Sequence, residues 1–464
     1  MADLHLPPEI AALRGDLGAI VAGIERHAPY AAAWLSSRQG TRITVDSREE
    51  RVAEQPPQAG AVLTAFDGTT LHETALGGFA RAAVERAARG LAQHLTVVPG
   101  PRIDPGPERQ GDFVTPLQIA PASLSTAEKL ARCREIQRRL AGLDARIVNA
   151  SVSYAETSEY AVFNNRAADL AQHVQRVRML IQVVVAGPAG VRYDWGMKTA
   201  AGGWEALTFS DDELRALVDN AVALLTAERI EPGEYTIVAA PLVVGTIVHE
   251  SFGHGVETDM FLKERATAAH YLDRTVGSPL VNIWDDPSYP GAFGSYFFDD
   301  EGMLAAPTRI VESGVFRRGI TDLYSATMLG IPRSANGRRQ DYTRKAYARM
   351  TTTAFGRGAT PLADLFAQVE HGVYLEKWSS GMEDPQGWGI QVTCHFGHEI
   401  QSGRVTGRMF APVAISGYLP DVLQSITAVG DDWDVDGGSC GKGHKEWVPV
   451  SSGGPHLLLK ARLG

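Results

Sequence analysis

Residues 248–259 read VHESFGHGVETD, with His249, Glu250 and His254 inside an apolar, glycine-punctuated segment. Two imidazoles can hold a zinc ion, and a carboxylate directly after the first can take a proton from metal-activated water. The spacing decides the local fold. In the common His-Glu-x-x-His form the ligands are four apart and share one helical face, whereas five apart means roughly 140° of rotation on an ideal helix. An unbroken helix cannot aim both imidazoles at one ion. The spacing therefore predicts a wide turn, or a helix that ends between the two histidines. Gly253 and Gly255 flank His254, where such a break is cheap.

Upstream, PLVVGTIV at 241–248 places a proline where helices start and then an apolar run. This is a buried helix that delivers polar residues at its end. Ionisable groups there must be paired or metal-bound, because burying them unsatisfied costs several kcal/mol. The motif alone is a weak signal: the chain has 13 histidines and His-Glu dipeptides at His72, His249 and His398. The bland alternative is a core histidine hydrogen-bonded to nearby backbone.

The 464 residues are 44% hydrophobic and 21% charged, an ordinary globular composition for more than one domain. A net charge of −10 and a pI near 5.7 argue against a nucleic-acid partner or an anionic membrane surface. The start, MADLHLPPEIAALRG, lacks a basic region followed by an apolar run, and no apolar stretch approaches membrane-spanning length. Three cysteines, Cys133, Cys394 and Cys440, few and odd in number, argue against a disulfide framework. A cytoplasmic location is expected.

Apolar residues at helical spacing over 9–26 predict an opening amphipathic helix. TRITVDS, GAVLTAF and VERAARGLAQHL read as strand, strand and helix, and Ser125 with Glu128 has the spacing of a capping box. Segments 145–165 and 175–187 read as long antiparallel strands, and a helix is expected to start near Ser210. A boundary near residue 230 divides an N-terminal α/β unit, 1–230, from a C-terminal unit, 231–464. The latter reads as strands separated by glycine-rich turns. The expected class is α+β, with a curved, mostly antiparallel sheet or barrel around the metal helix.

A catalytic zinc usually has three protein ligands and an open position. Two candidates exist for the third. One is the cluster Cys394, His395 and His398, where strand alternation splits the side chains between faces. The other is Cys440 in DVDGGSCGKGHKE, a glycine-rich loop that allows close approach, with Lys442 favouring a thiolate. The residues favour Cys440 and leave the cluster open.

Over nearly its whole length the chain resembles the TldD/PmbA family, in its zinc-bearing TldD branch. VHESFGHGVETD and GGSCGK carry the resemblance, with FDDEG at 298–302, ANGRR at 335–339 and YARMTTT at 347–353 between them in order. The resemblance implies a zinc metallopeptidase in which His249, His254 and Cys440 bind the ion and Glu250 is the general base. It also implies a dimer, either with an identical chain or with a TldE-like subunit, acting on short unfolded peptides. After Cys440 the segment GKGHKEWVPVSSGGP departs from the family pattern, so His444, Lys445 and Trp447 are expected to reshape the pocket.

Glu257 and Asp259 are placed to accept hydrogen bonds from a ligating imidazole, and Glu257 is alternatively a direct ligand. Lys442, His444 and loop amides are candidates to stabilise an oxyanion. Arg338 and Arg339 are candidates for a substrate carboxylate or the partner, and Asp299, Asp300 and Glu301 for a peptide amine. Two other readings keep the metal: a non-catalytic scaffold or partner subunit, and a zinc amidase acting on a modified small molecule.

Overall fold

The computed structural model describes residues 4–188, 190–443 and 446–464. The amphipathic stripe of the opening segment forms the helix Pro8–Glu25, which buries Ile10, Leu13, Leu17, Ile20, Val21 and Ile24. Its partner surface is a seven-stranded sheet. Along it run Leu71–Gly77, Glu50–Phe66, Tyr30–Val45, Ile147–Asn165, Ala168–Gly187 and Arg109–Val114, with Gly190–Ala201 also paired to Ala168–Gly187. Tyr30–Val45 is far longer than TRITVDS suggests. Its first half, YAAAWL, is buried on both faces: Ala31, Ala33 and Leu35 pack with the opening helix, and Tyr30, Ala32 and Trp34 with Phe298 and Leu323 of the C-terminal half. The expected capping box of Ser125 with Glu128 forms on helix Thr126–Ala141, and the helix expected near Ser210, Asp211–Ala223, carries a second one, Ser210 with Glu213.

The C-terminal half contains a closed five-stranded barrel. His371–Asp384, Gly233–Ala239, Leu457–Leu463, Val413–Tyr418 and Gly389–Gln401 pair in that order, and the last returns to the first. Only the His371–Asp384 and Gly233–Ala239 pair is parallel. Beside the barrel lies a six-stranded sheet that ends in Thr352–Phe355, Glu446–Gly454 and, at its edge, Asp434–Lys442. The helix Pro241–Phe252 is sandwiched between barrel and sheet, with Val243, Val244, Ile247 and Val248 in the largest apolar cluster. It lies close on the sheet because Gly245 has no side chain; a Cβ there would come within 2.8 Å of Gly453 N. The fold is α+β, as the element pattern predicts. Among the described residues no helix is long and apolar enough to cross a membrane.

Polar bonds tie the Gly190–Ala201 strand of the first sheet to this half. Lys377 Nζ meets both carboxylate oxygens of buried Asp194 at 2.8 Å and the carbonyl of half-buried Trp195 at 2.7 Å. Burial pushes the Asp194 carboxyl up, against the pull of Lys377. Removing one partner of a buried ion pair strands the other charge, so Lys377→Met is expected to cost about 3–5 kcal/mol of stability in urea denaturation. Adding Asp194→Leu should recover much of that loss.

Candidate metal centre

The metal helix ends at Phe252, and Gly253 caps it with its N–H on the His249 carbonyl. A side chain at Gly253 would run into Met350 Sδ and the His249 backbone, so only glycine fits this turn. A single 3₁₀ turn, His254–Val256, then swings the second imidazole back towards the first. The rings face each other edge-on, with centroids 5.3 Å apart and planes at 88°. This is how the five-residue spacing reaches one point.

Cys440 completes the group. Its Sγ lies 3.0 Å from His254 Nε2, and the ligand atoms of His249, His254 and Cys440 all fall within 4.8 Å of one another. Zinc bonds of about 2.0–2.1 Å to nitrogen and about 2.3 Å to sulfur separate tetrahedral ligand atoms by about 3.3–3.6 Å, so the three residues fit that ion with little adjustment. Among the described residues no fourth His, Cys, Asp or Glu joins them. A four-coordinate zinc held by these three residues would keep one position for water or substrate. Burial opposes the Cys440 thiolate, but the charges and hydrogen bonds of His249 and His254 outweigh it and hold the thiol well below its usual range.

The glycine-rich segment around Cys440 is not a loop. It is the strand Asp434–Lys442, antiparallel to Glu446–Gly454 with Cys440 opposite Val448. Its glycines make room for neighbours: a Cβ on Gly437 would collide with Phe293 and Thr199. Thr199 Oγ1 bonds Asp436 at 2.9 Å and accepts the Gly437 N–H at 2.8 Å, which ties the ligand strand to the N-terminal sheet. The Cys394 cluster lies elsewhere. Cys394 is buried in the barrel core, and His395 reaches the Tyr193 carbonyl at 2.8 Å.

Behind His254 stands a buried charge network. Glu257 Oε2 is 3.2 Å from His254 Nδ1, on the far side of the ring from Cys440, so its carboxylate orients the imidazole and does not reach the ligand cluster. Lys442 Nζ sits 3.0 Å from Glu257 and 2.5 Å from Asp259, and Lys263 reaches Asp259 at 3.1 Å. Burial alone would raise the Glu257 carboxyl, but Lys442 and His254 hold it at about 2. Lys442 lines the cleft, yet these carboxylates and the Ala348 carbonyl occupy its ammonium. Glu257→Gln is expected to weaken zinc binding about 10–100-fold in a competition titration. With a folded pKa near 2 against an ordinary 4.5, the stability from Glu257 is complete above pH 4.5 and lost as pH falls through 2. Denaturation curves should therefore show the wild-type advantage over Glu257→Gln shrinking across that window.

Three contributors escape a reading of the sequence. Arg349, fully buried, donates to the Cys440 carbonyl at 2.7 Å and to the Glu446 carbonyl at 3.1 Å, clamping the ligand strand and its neighbour. Buried Asp285 accepts from Thr351 N and Oγ1, Thr353 Oγ1 and Asn336, so YARMTTT and ANGRR converge on one carboxylate that positions Arg349. Glu383 lies against Glu250, and burial together with that hydrogen bond pushes its carboxyl up to about 8 despite the opposing charge of His254. Nothing in MEDPQG distinguishes Glu383 from a turn residue.

The arginine and carboxylate candidates beyond this network lie away from the cleft. Arg338 is buried and donates to the Met350 carbonyl, and Arg339 is paired with Glu73 at 2.9 Å. Asp299 and Glu301, buried, and Asp300, half-buried, accept from the backbone N–H groups of Gly337, Leu323 and Arg339 respectively. Of these bonds only Arg339 to Glu73 joins the two halves; the others lie within the C-terminal half. His444 and Lys445 lie outside the described residues. Trp447 lines the mouth of the cleft and is half exposed. The cleft itself measures about 920 Å³ and is lined by His249, Glu250, His254 and Cys440 together with Met197, Tyr347, Trp378 and Glu383.

A helix that breaks between two histidines, with a cysteine strand facing it, makes a candidate metal centre of three ligands. Family models described as the PmbA/TldA metallopeptidase central domain and C-terminal domain match residues 119–228 and 232–462. A metalloprotease of Synechocystis is 28% identical over 470 residues, covering 97% of this chain and 98% of its own. A metalloprotease of Methanothermobacter thermautotrophicus is 31% identical over 317 residues, 68% and 69% of the two chains. A zinc metalloprotease TldD homolog of Saccharolobus solfataricus is 30% identical over 229 residues, 49% and 51% of the two chains. The solved TldE of Thermococcus kodakarensis shares the fold at 13% identity, with a TM-score of 0.72 over 96% of this chain and 99% of that one. The chain belongs to the PmbA/TldD metallopeptidase family.

Proposed function

We propose that this chain is a zinc peptidase that hydrolyses short or unfolded peptides. The observation that carries the reading is the convergence of His249, His254 and Cys440 within 4.8 Å, on the wall of a cleft that also holds Glu250. Zinc held by these residues supplies Lewis acidity, which acidifies water and polarises a carbonyl. Glu250, next to the first ligand, takes the proton from the attacking water and returns it to the leaving amine. Glu257 fixes the His254 tautomer by accepting from Nδ1, leaving Nε2 for the metal.

Substrate is held extended. Asp434–Lys442 is an edge strand, paired on one side only by Glu446–Gly454, and it lines the cleft. Added-strand pairing recognises peptide backbone whatever the side chains, which suits unfolded chains and excludes folded ones. In this reading residues 231–464 form the peptidase unit. Residues 1–230 wall the chamber through Met197, with Thr199 bonded to Asp436 of the ligand strand, and support a dimer with an identical chain or a TldE-like partner in the cytoplasm. The test is hydrolysis of an unstructured peptide and of a folded protein by chelator-stripped and zinc-restored protein. Cleavage of the peptide alone, and only with zinc, is expected. Turnover that survives complete metal removal refutes the reading.

A further inference from the structure

Trp447 stands opposite Gly441 across the antiparallel pair Asp434–Lys442 and Glu446–Gly454. A Cβ on Gly441 would come within 3.3–3.4 Å of Cη2, Cζ3 and Cε3 of the indole, so the six-membered ring lies over the glycine. The ring reaches from its own strand across the edge strand, as aromatics do beside an edge glycine. Its backbone is pinned, because the Trp447 N–H donates to Gln340 Oε1 at 2.7 Å.

Cys440 and Lys442 turn towards the metal helix and the turn after it, with Sγ on His254 and Nζ on Glu257. Strand alternation therefore sends Gly441 and Trp447 to the opposite face. The cleft is lined from both faces, by Cys440 and Lys442 on one and by Trp447 on the other, because it runs round the free edge of Asp434–Lys442. Among the described residues of the C-terminal half, three large apolar side chains are more than half exposed: Leu272, Met382 and Trp447. Two of them, Met382 and Trp447, line this one cleft. Apolar surface gathered in a groove marks a place that a ligand covers.

A peptide strand added at the free edge runs about 4.8 Å beyond Gly441. Its residue opposite Gly441 then projects on the Trp447 face. Gly441 offers no side chain, so the lateral neighbour of that residue is the indole lying over the glycine. Lys263, Lys345 and Lys442 stand within 6.0 Å of the Tyr347 ring, on the same cleft, a field that disfavours a cationic residue. An apolar residue meets no such opposition.

We infer that Trp447 determines specificity: its indole is the shelf for one large apolar or aromatic side chain of the substrate, at the position paired with Gly441. This rests on the peptidase reading and on the added-strand pairing proposed above. The bound peptide is otherwise recognised through its backbone, and this position is read through its side chain. The shelf sets the register in which a peptide crosses the metal centre, so it also selects the bond that is cut.

The test uses acetyl-Gly-Ser-X-Ser-Gly-Ser-amide with X as Phe, Leu, Ala or Lys. Hydrolysis is followed on zinc-loaded wild type, with products identified by mass, and binding is followed by calorimetry on zinc-loaded Glu250→Gln. Phe and Leu should exceed Ala about tenfold in kcat/KM and in affinity, the range for partly burying one large apolar side chain, and Lys should not exceed Ala. The cut should fall at one fixed distance from X. Trp447→Ala should bring the Phe-to-Ala ratio close to one, and Trp447→Phe should keep most of it. Equal treatment of Phe and Ala by wild type overturns the proposal without reference to any variant. A preference for Lys overturns it too, as does a ratio that survives Trp447→Ala. A Trp447→Ala protein that loses the Phe and Ala peptides by the same factor gives Trp447 a structural role only and also overturns it. If Glu250→Gln binds the Phe peptide about tenfold more tightly than the Ala peptide but wild type cleaves neither, the peptidase reading fails while the shelf stands.

Discussion

Replacing Glu250 with glutamine is expected to lower kcat on a short peptide by about 10²–10⁴-fold, the range a positioned general base supplies, while zinc content stays stoichiometric. The substitution is isosteric, so the space under Gly381 stays filled and the helix end is undisturbed. No ligand atom is touched: the cluster consists of His249, His254 and Cys440. The two readouts together separate a peptidase from a metal-stabilised scaffold. A scaffold would keep both its metal and its residual activity, whereas a peptidase keeps the metal and loses turnover. KM should change little, because the proton transfer belongs to the transition state.

Cys440→Ser should have the largest effect on the metal itself. Serine keeps the volume in the strand but supplies no thiolate at neutral pH, so two imidazoles remain to hold the ion. Zinc affinity is expected to fall by more than the roughly 10–100-fold that outer partners such as Glu257 contribute, and activity should fall with it. The fold should survive. Arg349 bonds the Cys440 carbonyl and not its sulfur, and the strand keeps its ladder with Glu446–Gly454. Metal analysis after desalting, alongside a thermal melt without added metal, separates loss of ligand from loss of structure.

Much of this centre was legible because local rules impose it. The five-residue spacing of His249 and His254 excludes a continuous helix, and the chain ends that helix at Phe252 with the cap Gly253 that the spacing requires. Ser125 announces its helix through a capping box with Glu128, three residues on, and the acidic first turn after Ser210 announces the other. The barrel was legible only as a class. Its closure joins His371–Asp384 to Gly389–Gln401 on one side and to Gly233–Ala239 on the other, a pairing across more than a hundred residues that no local pattern encodes.

What stayed hidden follows from burial and distance. YAAAWL shows no alternation because both faces are covered, so it hides half of a strand. Arg338 and Arg339 look like a surface pair because arginine usually is one, yet they are buried against Met350 and Glu73. Cys440 was expected on a loop because glycines usually mark turns; here Gly437 admits Phe293 and Thr199 to a strand. Glu383 gains its meaning only from Glu250, which lies far from it in sequence.

The central claim, one thiolate and two imidazoles around a catalytic zinc, is tested most directly by zinc-edge X-ray absorption on the purified chain. The expected shell holds a single sulfur at about 2.3 Å and nitrogen or oxygen neighbours at about 2.0–2.1 Å, four ligands in all. A shell without sulfur, or one with two or more sulfurs, would contradict it.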